Sequence, residues 1–274
     1  MTTVLKLGGE LLEDAAAVRD AAARVVRLAS REQVAVVHGG GRAIDAELRS
    51  RGLTPRFADG LRVTDDDALD AVLTVLAGRT NTQFVAAVNG AGSKAVGLTG
   101  ADAQLGLCIR SAPIRTQSGE IVDLGLVGEP SLSNADVVSD LLRLQYVPVI
   151  ASIGIASDGT LLNINADTFA AHLAVALRAD RLIVVGTTAG VLDGAGRTIV
   201  EMSEDEIDEM TAAGTAHSGM IAKLSACRYA ATRGVPRVFI VSGRDGQDFD
   251  TAPGSRIVAS TVSIAALSEP EYTD

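Results

Sequence analysis

The sequence predicts an α/β protein, a three-layer α/β/α sandwich around a mainly parallel, open sheet. Short apolar runs alternate with helical patterns for most of the 274 residues. The run at 147–155 is apolar almost throughout, which is typical of a strand buried on both faces of a parallel sheet. The apolar run at 34–38 ends in three glycines and leads straight into a helical pattern.

The first half of the chain is assigned as follows. Residues 2–8 form a strand, and 14–30 form an Ala-rich helix with one apolar face. The helix at 43–52 ends at Gly52, a good C-cap, and a helical stretch from about 65 to 88 is broken near Gly78. A strand at 94–100 is followed by a polar-tipped hairpin at 105–128 around 117–120.

In the second half, a helix at 134–145 leads into the strand at 147–155, and a turn at 158–160 precedes the Asx-rich start of the next helix. Further strands are expected at 181–186, 235–242 and 255–260, and helices at 203–214 and 219–234. No long or Pro-rich linker separates the halves. We therefore expect two lobes, 1–177 and 178–274, that share one continuous sheet, with an acidic surface tail after about 260.

The composition disfavours several classes of partner. With 24 Lys+Arg against 34 Asp+Glu the formal net charge is −10, and no basic run suggests a nucleic-acid or anionic-membrane surface. Cys108 and Cys227 have no metal-ligand or CxxC spacing, which is typical of a reducing compartment. No apolar run approaches about 20 residues and no signal-peptide pattern is present, so we expect a cytoplasmic protein.

Five features carry chemistry suited to phosphoryl transfer. They are Lys6 in KLGGELL, the glycines at 39–41, Arg62 in GLRVT, the NINAD segment at 163–167 and Lys223 in GMIAK. Phosphoryl transfer asks a protein for cations around the moving group and for backbone amides under the anions. A glycine run between a buried strand and a helix directs several N–H groups and the helix dipole at one spot. The spacing matches neither a P-loop nor a dinucleotide fingerprint.

Each feature also has an ordinary structural interpretation. The glycines relieve a tight turn, Lys6 lies at a sheet edge, and Lys223 is a solvated helix residue. Arg62 pairs with a nearby Asp59 or Asp65.

For the NINAD segment, Asn163, Asn165 and Asp167 supply turn and N-cap chemistry in the ordinary interpretation. The three histidines, at 38, 172 and 217, are dispersed, and we infer neither a zinc site nor a Ser-His-Asp triad from them.

The chain resembles the amino-acid kinase family from Thr3 to about Ser260, and within it the enzymes that phosphorylate N-acetyl-L-glutamate. The motifs that carry the resemblance, in the family's order, are KLGGELL, VVHGGGR, GLRVT, AVGLTGAD, VPVIASIG, GTLLNINAD, AGVLD, GMIAK and SRIVA. The resemblance implies the amino-acid kinase fold. It also implies transfer of the ATP γ-phosphoryl group to the side-chain carboxylate of N-acetyl-L-glutamate, the second step of arginine biosynthesis.

The resemblance also implies residue roles for catalysis and for binding of the acyl amino acid. The first lobe would bind the acyl amino acid and dimerise. Lys6 and Lys223 would stabilise the transferring group and the leaving ADP, and Asp167 would orient both lysines. The remaining substrate contacts would come from Gly40, Gly41, Arg62 and Asn163, with Arg62 gripping the α-carboxylate through two hydrogen bonds.

The second lobe would bind ATP, with Mg²⁺ carried on the nucleotide phosphates and no metal site built by the protein. The implied nucleotide contacts are Gly8, Gly9, Gly186, Thr187, Gly190, Val191, Thr215, Ala216, His217, Gly219 and Met220. The chain departs from the family pattern on this side: Gly186–Thr187 and Ser218 stand where acidic residues are usual.

Two alternatives stay open at this point. One is a kinase for another N-blocked acidic substrate, such as aminoadipate on a carrier protein. The other is a sensor on the same fold that binds an amino acid or nucleotide without turnover, although intact Lys6, Asp167 and Lys223 disfavour it.

Assembly and regulation follow from the same resemblance. Arginine-inhibited members carry an extra helix before the first strand. Here only Met1 and Thr2 precede that strand. We expect a homodimer that covers an apolar face near 65–88 and whose activity is insensitive to arginine.

Overall fold

A mainly parallel sheet of eight strands forms the centre of the computed structural model, which describes residues 1–116, 118–132, 134–212, 218–244 and 246–259. The strands are β1 (Thr2–Leu7), β2 (Gln33–His38), β3 (Phe57–Ala58), β4 (Leu61–Arg62), β5 (Ala95–Thr99), β6 (Leu107–Arg110), β7 (Ile114–Arg115), β8 (Ile121–Val122), β9 (Val127–Leu132), β10 (Val147–Ala151), β11 (Ile153–Ile155), β12 (Leu161–Ile164), β13 (Arg181–Gly186), β14 (Glu201–Met202), β15 (Val238–Ser242) and β16 (Gly254–Ile257). The helices are α1 (Ala15–Ala29), α2 (Gly41–Ser50), α3 (Asp66–Leu73), α4 (Asn81–Gly90), α5 (Asp136–Arg143), α6 (Ala166–Ala176), α7 (Glu204–Ala212) and α8 (Ser218–Thr232).

The strand order in the large sheet is β14–β16–β15–β13–β1–β2–β10–β5. β1 lies in the middle, parallel to β13 on one side and to β2 on the other, whereas β16 runs antiparallel to β15. This confirms the predicted α/β class with a mainly parallel sheet. Strands from both halves of the chain share the sheet, while the division of roles between 1–177 and 178–274 stays a prediction.

Helices cover both faces of this sheet. Successive residues of a strand point to opposite faces. Val4 of β1 therefore packs in a core with α5, α6 and α8, whereas Leu5 and Leu7 pack in a second core with α1 and α4. Lys6 follows Val4 by two positions and so faces the α6 and α8 layer.

The predicted strand at 147–155 is in fact two strands. β10 ends at Ala151 in the large sheet, and β11 leaves it after Ser152. β11 pairs antiparallel with β12 and parallel with β6, in a small closed sheet of β11, β12, β9 and β6. The apolar run continues across the break because both sheets bury their strands, so the pattern alone could not reveal it.

The helical stretch predicted at 65–88 forms, but the break expected near Gly78 does not. A π-helical segment at Thr74–Thr80 joins α3 directly to α4. Such segments are uncommon and occur frequently at functional sites. Here the segment buries Val75 and Leu76, and the residue after it, Asn81, begins α4.

The apolar side of this stretch packs within the chain. The buried apolar residues of α3 and of the π-helical segment form a third core with Ile44 and Leu48 of α2 and with Ile153 of β11, whereas those of α4 belong to the second core. Exposed positions of α3 include Asp66 and Asp70. The apolar dimer face expected here is therefore largely covered by the chain itself, and the dimer stays a prediction.

In the part of the chain that the structure describes, no helix has the length and apolar character needed to cross a bilayer. The predicted acidic tail after about 260 lies outside the described residues. So do Thr215, Ala216 and His217, three of the expected nucleotide contacts.

A buried ion pair joins β13 to the loop before β2 at the amino end of the sheet. Arg181 bonds to Glu32, and its Nε also donates to Thr3 Oγ1 at 3.1 Å. The Thr3 hydroxyl in turn donates to Glu32 Oε1 at 3.1 Å. The side chains of the pair are only 8% and 3% exposed, so each charge is compensated mainly by the other.

Removal of one partner should therefore be costly. We expect Arg181→Met to lower the free energy of unfolding by about 3–5 kcal/mol, because Glu32 is left charged and buried. The double variant Arg181→Met/Glu32→Met should recover most of this loss in urea unfolding. Arg143→Met, which removes an exposed pair with Asp140, is the control and should change stability by about 1 kcal/mol or less. Equal losses in the single and double variants would contradict the expectation.

Candidate active site

The carboxyl ends of the central strands bring the predicted site residues to one edge of the sheet. Lys6 is the penultimate residue of β1 and lies beside Val37 of β2 and Val184 of β13. The glycine pair 8–9 follows β1, and the glycine run 39–41 follows β2. A lysine in the middle of a buried sheet is thus placed where two glycine turns meet.

A cavity of about 400 Å³ opens at this edge. Its wall includes seven predicted site residues, namely Lys6, Gly9, Gly40, Gly41, Arg62, Asn163 and Asp167. The wall also carries apolar side chains that the sequence did not mark as site residues, namely Ile44, Phe57, Leu61, Leu76, Ile114, Leu124 and Val127. Nothing in the sequence pattern separates these residues from ordinary core or hairpin positions.

Lys6 forms a buried ion pair with Asp167. Lys6 Nζ lies 2.8 Å from Asp167 Oδ1, and the two side chains are 7% and 9% exposed. No described residue completes a hydrogen bond of normal geometry to this Oδ1 atom, so the contact is chiefly electrostatic. The pair fixes one ammonium group in the cavity wall.

Asp167 is placed by the first turn of α6. Asn165 is the N-cap, and its side chain accepts hydrogen bonds from the Asp167 and Thr168 N–H groups at 2.9 and 3.1 Å. The N-cap interpretation of Asn165 is therefore confirmed. Because the cap fixes the helix start, the next carboxylate is directed at β1, and the helix dipole favours its negative charge.

Lys223 approaches the same edge from α8. Its Cε lies 3.7 Å from the position that a Cβ on Gly186 would occupy, so the side chain passes the end of β13. Its Nζ lies 3.5 Å from the Gly219 carbonyl oxygen, and Lys223 is not part of the cavity wall.

The charges of both lysines and of Asp167 nevertheless converge on Cys227. Burial raises the pKa of this thiol, the Asp167 charge raises it further, and Lys6 and Lys223 lower it. In this structure Asp167 pairs directly with Lys6, so its expected control over Lys223 stays a prediction.

The two glycine turns touch, and this contact requires glycine. A Cβ on Gly9 would lie 2.5 Å from the Gly40 Cα, and one on Gly40 would lie 2.8 Å from Leu76 Cδ2. Helix α2 begins at Gly41, two residues earlier than predicted, with Gly40 in the N-cap position. The unpaired N–H groups of the first helical turn therefore lie at the cavity.

Arg62 is held by acceptors on α2. Its Nη2 donates to Asp45 Oδ1 at 2.6 Å and to the Gly41 carbonyl at 3.1 Å. The guanidinium carbon lies 4.7 Å from the centre of the Phe57 ring. Asp45 is thus an Arg62 partner that the sequence did not single out.

The other end of the guanidinium is unsatisfied. Arg62 Nη1 is buried and has no hydrogen-bond partner among the described residues. A buried donor of this kind is costly unless a ligand supplies the acceptor. The group is therefore ready to receive an anion in the cavity.

Asn163 lies on β12 and is part of the cavity wall. Its Nδ2 donates to Thr64 Oγ1 at 3.2 Å, which joins the small closed sheet to the segment after β4. Its substrate contact stays a prediction.

Of the expected nucleotide contacts that the structure describes, Gly9 lies in the cavity wall and the others lie beside the cavity. Gly8 N donates to the Val185 carbonyl at 3.0 Å, so the first glycine turn abuts the end of β13. Among the described residues of that set, Gly8, Gly186, Thr187, Gly190, Val191, Gly219 and Met220 are absent from the wall.

The Val191 side chain belongs to the core. It is 1% exposed, and its N–H donates to Ser255 Oγ at 2.8 Å. Gly190 has a φ of +91°, and a Cβ there would lie 2.6 Å from that hydroxyl oxygen. Val191 therefore offers no exposed side chain to a nucleotide, while Gly190 supplies a turn that other residues adopt with strain.

His38 ends β2 and is fully buried. Its Nδ1 lies 3.2 Å from the Gly39 carbonyl oxygen, and its Nε2 lies 3.1 Å from Asn81 Nδ2. A carbonyl only accepts and an amide nitrogen only donates, so we assign the neutral ring with hydrogen on Nδ1. Burial lowers the pKa of His38 to about 4, and the hydrogen bond to Gly39 opposes this shift.

His38 should make stability depend on pH. The unfolded histidine has a pKa of about 6.5, so between pH 6.5 and about 4 the unfolded state binds a proton that the folded state excludes. Its contribution is complete above pH 6.5 and is lost as the pH falls. We expect about 2 kcal/mol of this loss between pH 7 and pH 5. Urea unfolding of His38→Asn should lack that portion, and identical pH slopes for the two proteins would contradict the assignment.

Comparisons with known proteins agree on one family. The sequence profile of the amino acid kinase family matches residues 1–242. The chain is 39% identical over 251 residues to the acetylglutamate kinase of Afipia carboxidovorans, covering 89% of this chain and 84% of that protein. It is 41% identical over 247 residues to the acetylglutamate kinase of Bordetella avium, covering 89% of this chain and 82% of that protein.

Solved structures share the fold. The smu.665 protein of Streptococcus mutans aligns with a TM-score of 0.78 at 25% identity, covering 94% of this chain and 98% of that one. The carbamate kinase of Giardia aligns with a TM-score of 0.65 at 16% identity, covering 94% and 98% of the two chains, and this match concerns the fold alone. The profile match and the two sequence relatives confirm the resemblance inferred from the motifs: the chain belongs to the amino acid kinase family.

Proposed function

We propose that this protein transfers the γ-phosphoryl group of ATP to the side-chain carboxylate of N-acetyl-L-glutamate, in the second step of arginine biosynthesis. The observation that carries the proposal is one cavity wall that holds both the Lys6–Asp167 pair and the unpaired Nη1 of Arg62. The 39% and 41% identities to acetylglutamate kinases over 89% of the chain support the same substrate.

The reaction joins a carboxylate oxygen of the substrate to the γ-phosphorus. The bond from that phosphorus to the β–γ bridging oxygen breaks, and its electron pair leaves with ADP. The carboxylate is already ionised, so no general base is needed. Catalysis then consists of positioning and of offsetting negative charge, which suits Lys6, Lys223 and the N–H groups of the glycine turns.

The acyl amino acid would lie between Arg62 and Lys6. Its α-carboxylate would accept from the buried Nη1 of Arg62, whose Nη2 is already taken by Asp45. This divides the guanidinium between a protein partner and a substrate. The methylene groups and the acetyl methyl would contact the apolar part of the wall, and Asn163 would bind the same substrate.

ATP would lie beside the ends of β1 and β13, with Mg²⁺ bound to its phosphates as part of the substrate. Among the residues that the structure describes, no three His, Cys, Asp or Glu side chains are grouped to hold a metal. The Glu10 carboxylate folds back on Gly8 and lines the cavity, so this acidic group would be near the metal-bearing phosphates.

A substrate panel separates this proposal from its alternatives. Coupled ADP release with N-acetyl-L-glutamate, glutamate and aminoadipate should be fastest with the first acceptor. Greater turnover of aminoadipate, or of an N-blocked aminoadipate added to the panel, would favour the related kinase. Binding of nucleotide or amino acid with no ADP release from any acceptor would favour the sensor.

The lysines provide the first kinetic prediction. We expect Lys6→Ala and Lys223→Ala each to lower kcat by about 10²-fold or more, with a smaller effect on the KM for N-acetyl-L-glutamate, because charge develops between them in the transition state. Lys94, the one lysine of the sequence besides Lys6 and Lys223, is exposed and provides a matched control whose replacement by alanine should leave kcat unchanged. Near-normal kcat in either active-site variant would remove that lysine from the mechanism.

Arg62 provides the second. Arg62→Lys loses the planar guanidinium that serves Asp45 and the substrate together, so the KM for N-acetyl-L-glutamate should rise while that for ATP changes little. Arg143→Lys, at an exposed position of α5 outside the cavity wall, is the control. If both KM values rise equally, Arg62 does not bind the acyl amino acid selectively.

We also propose a cytoplasmic homodimer, since twofold assembly is the commonest closed form. Multi-angle light scattering should give twice the 28.1 kDa chain mass. A monomer or a hexamer at assay concentrations would contradict the dimer.

A further inference from the structure

We propose that His38 and Asn81 are positioning residues that hold the Gly39–Gly40 peptide in one orientation. In that orientation the Gly40 N–H points into the cavity, at the phosphoryl group that is being transferred. The inference rests on the proposed phosphoryl transfer. It assigns a role to the buried polar link formed by Gly39, His38 and Asn81, which the mechanism does not otherwise use.

The first step is the orientation of one peptide. The His38 Nδ1–H donates to the Gly39 carbonyl, which turns that carbonyl toward the ring. The peptide bonds of the described residues are trans, so the Gly40 N–H points the opposite way from the Gly39 carbonyl. Gly40 lines the cavity, whereas His38 is fully buried behind it.

The second step is the anchoring of the imidazole. Asn81 Nδ2 donates both to His38 Nε2 at 3.1 Å and to the Val149 carbonyl of β10 at 2.9 Å. The bond to a backbone carbonyl fixes which end of the Asn81 amide is the nitrogen. The ring is thereby held in one tautomer, with its hydrogen directed at Gly39.

The third step concerns how Asn81 reaches this position. It is 5% exposed and begins α4 directly after the π-helical segment. A Cβ on Gly97 of β5 would lie 2.2 Å from Asn81 Oδ1, so a larger residue there would displace the amide. Leu76, from the same π-helical segment, packs against Gly40 itself. The segment thus supports the glycine turn both directly and through His38.

The link is poorly suited to a purely structural purpose. Buried polar groups add little net stability even when satisfied, and an apolar side chain at position 38 would fill the core without needing partners. The link ends at a turn in the cavity wall. Loss of one preoriented donor to a developing charge typically costs 10²–10³-fold in rate.

Two substitutions at position 38 distinguish positioning from packing. His38→Asn keeps a donor near the Nδ1 position but loses volume and the Nε2 acceptor. His38→Gln keeps more volume and an acceptor near Nε2 but loses the donor to Gly39. A packing role makes the glutamine variant the milder one, whereas positioning makes it the more damaging one.

We expect the two variants to rank in opposite orders for kcat and for melting temperature. With N-acetyl-L-glutamate and ATP, His38→Gln should lower kcat at least 10-fold more than His38→Asn, with KM values for both substrates within about threefold of wild type. The melting temperature of His38→Gln should be equal to or higher than that of His38→Asn. Asn81→Leu, which frees the ring, should follow His38→Gln in kcat. If kcat falls in the same order as the melting temperature, the proposal is overturned.

A second measurement does not depend on turnover. Nitrogen NMR of the protein labelled with ¹⁵N-histidine should find His38 protonated on Nδ1 at pH 7, and an Nε2–H tautomer would overturn the proposal. A wild-type enzyme that does not phosphorylate N-acetyl-L-glutamate would contradict the proposed function instead. In that case the tautomer still reports whether the Gly39 carbonyl is held.

Discussion

The buried ion pair between Lys6 and Asp167 is the contact on which the rest of the site depends. It joins the carboxyl end of the central strand to the first turn of α6, and so fixes a cation and a carboxylate in the cavity wall. Such pairs contribute little net stability, since desolvation offsets most of the attraction. The pair instead holds a dehydrated ammonium group next to bound phosphate. The low local dielectric constant there strengthens the attraction between the two charges.

The same device is repeated on the substrate side. Asp45 binds one nitrogen of Arg62 and leaves the other buried and unpaired. Each of these two cations is therefore oriented by a carboxylate yet retains donors for a ligand. This explains how a chain with a net charge of −10 can bind two anionic substrates: the attraction is built locally, and the overall charge does not need to be positive.

Local signals predicted the fold class, most element positions and the two cationic side chains that line the cavity, Lys6 and Arg62. The strand that contains Lys6, the cap at Asn165 and the glycine run at 39–41 are encoded by adjacent residues, so a sequence pattern is enough to find them. Features that depend on distant residues could not be found this way. The break at Ser152 requires knowing which sheet each strand joins, and the partnership of His38 with residue 81 requires knowing that α4 packs behind β2.

The central place of β1 has a consequence for how the protein is made. Thr3 pairs with Arg181, 178 residues later in the chain, so one edge of β1 has no partner until β13 has left the ribosome. Until then, the backbone N–H and C=O groups along that edge have no partner strand, and Lys6 lacks its neighbour on β13. Assembly of the site is therefore a late event of synthesis, and a truncated chain lacking β13 would expose an apolar edge that favours aggregation.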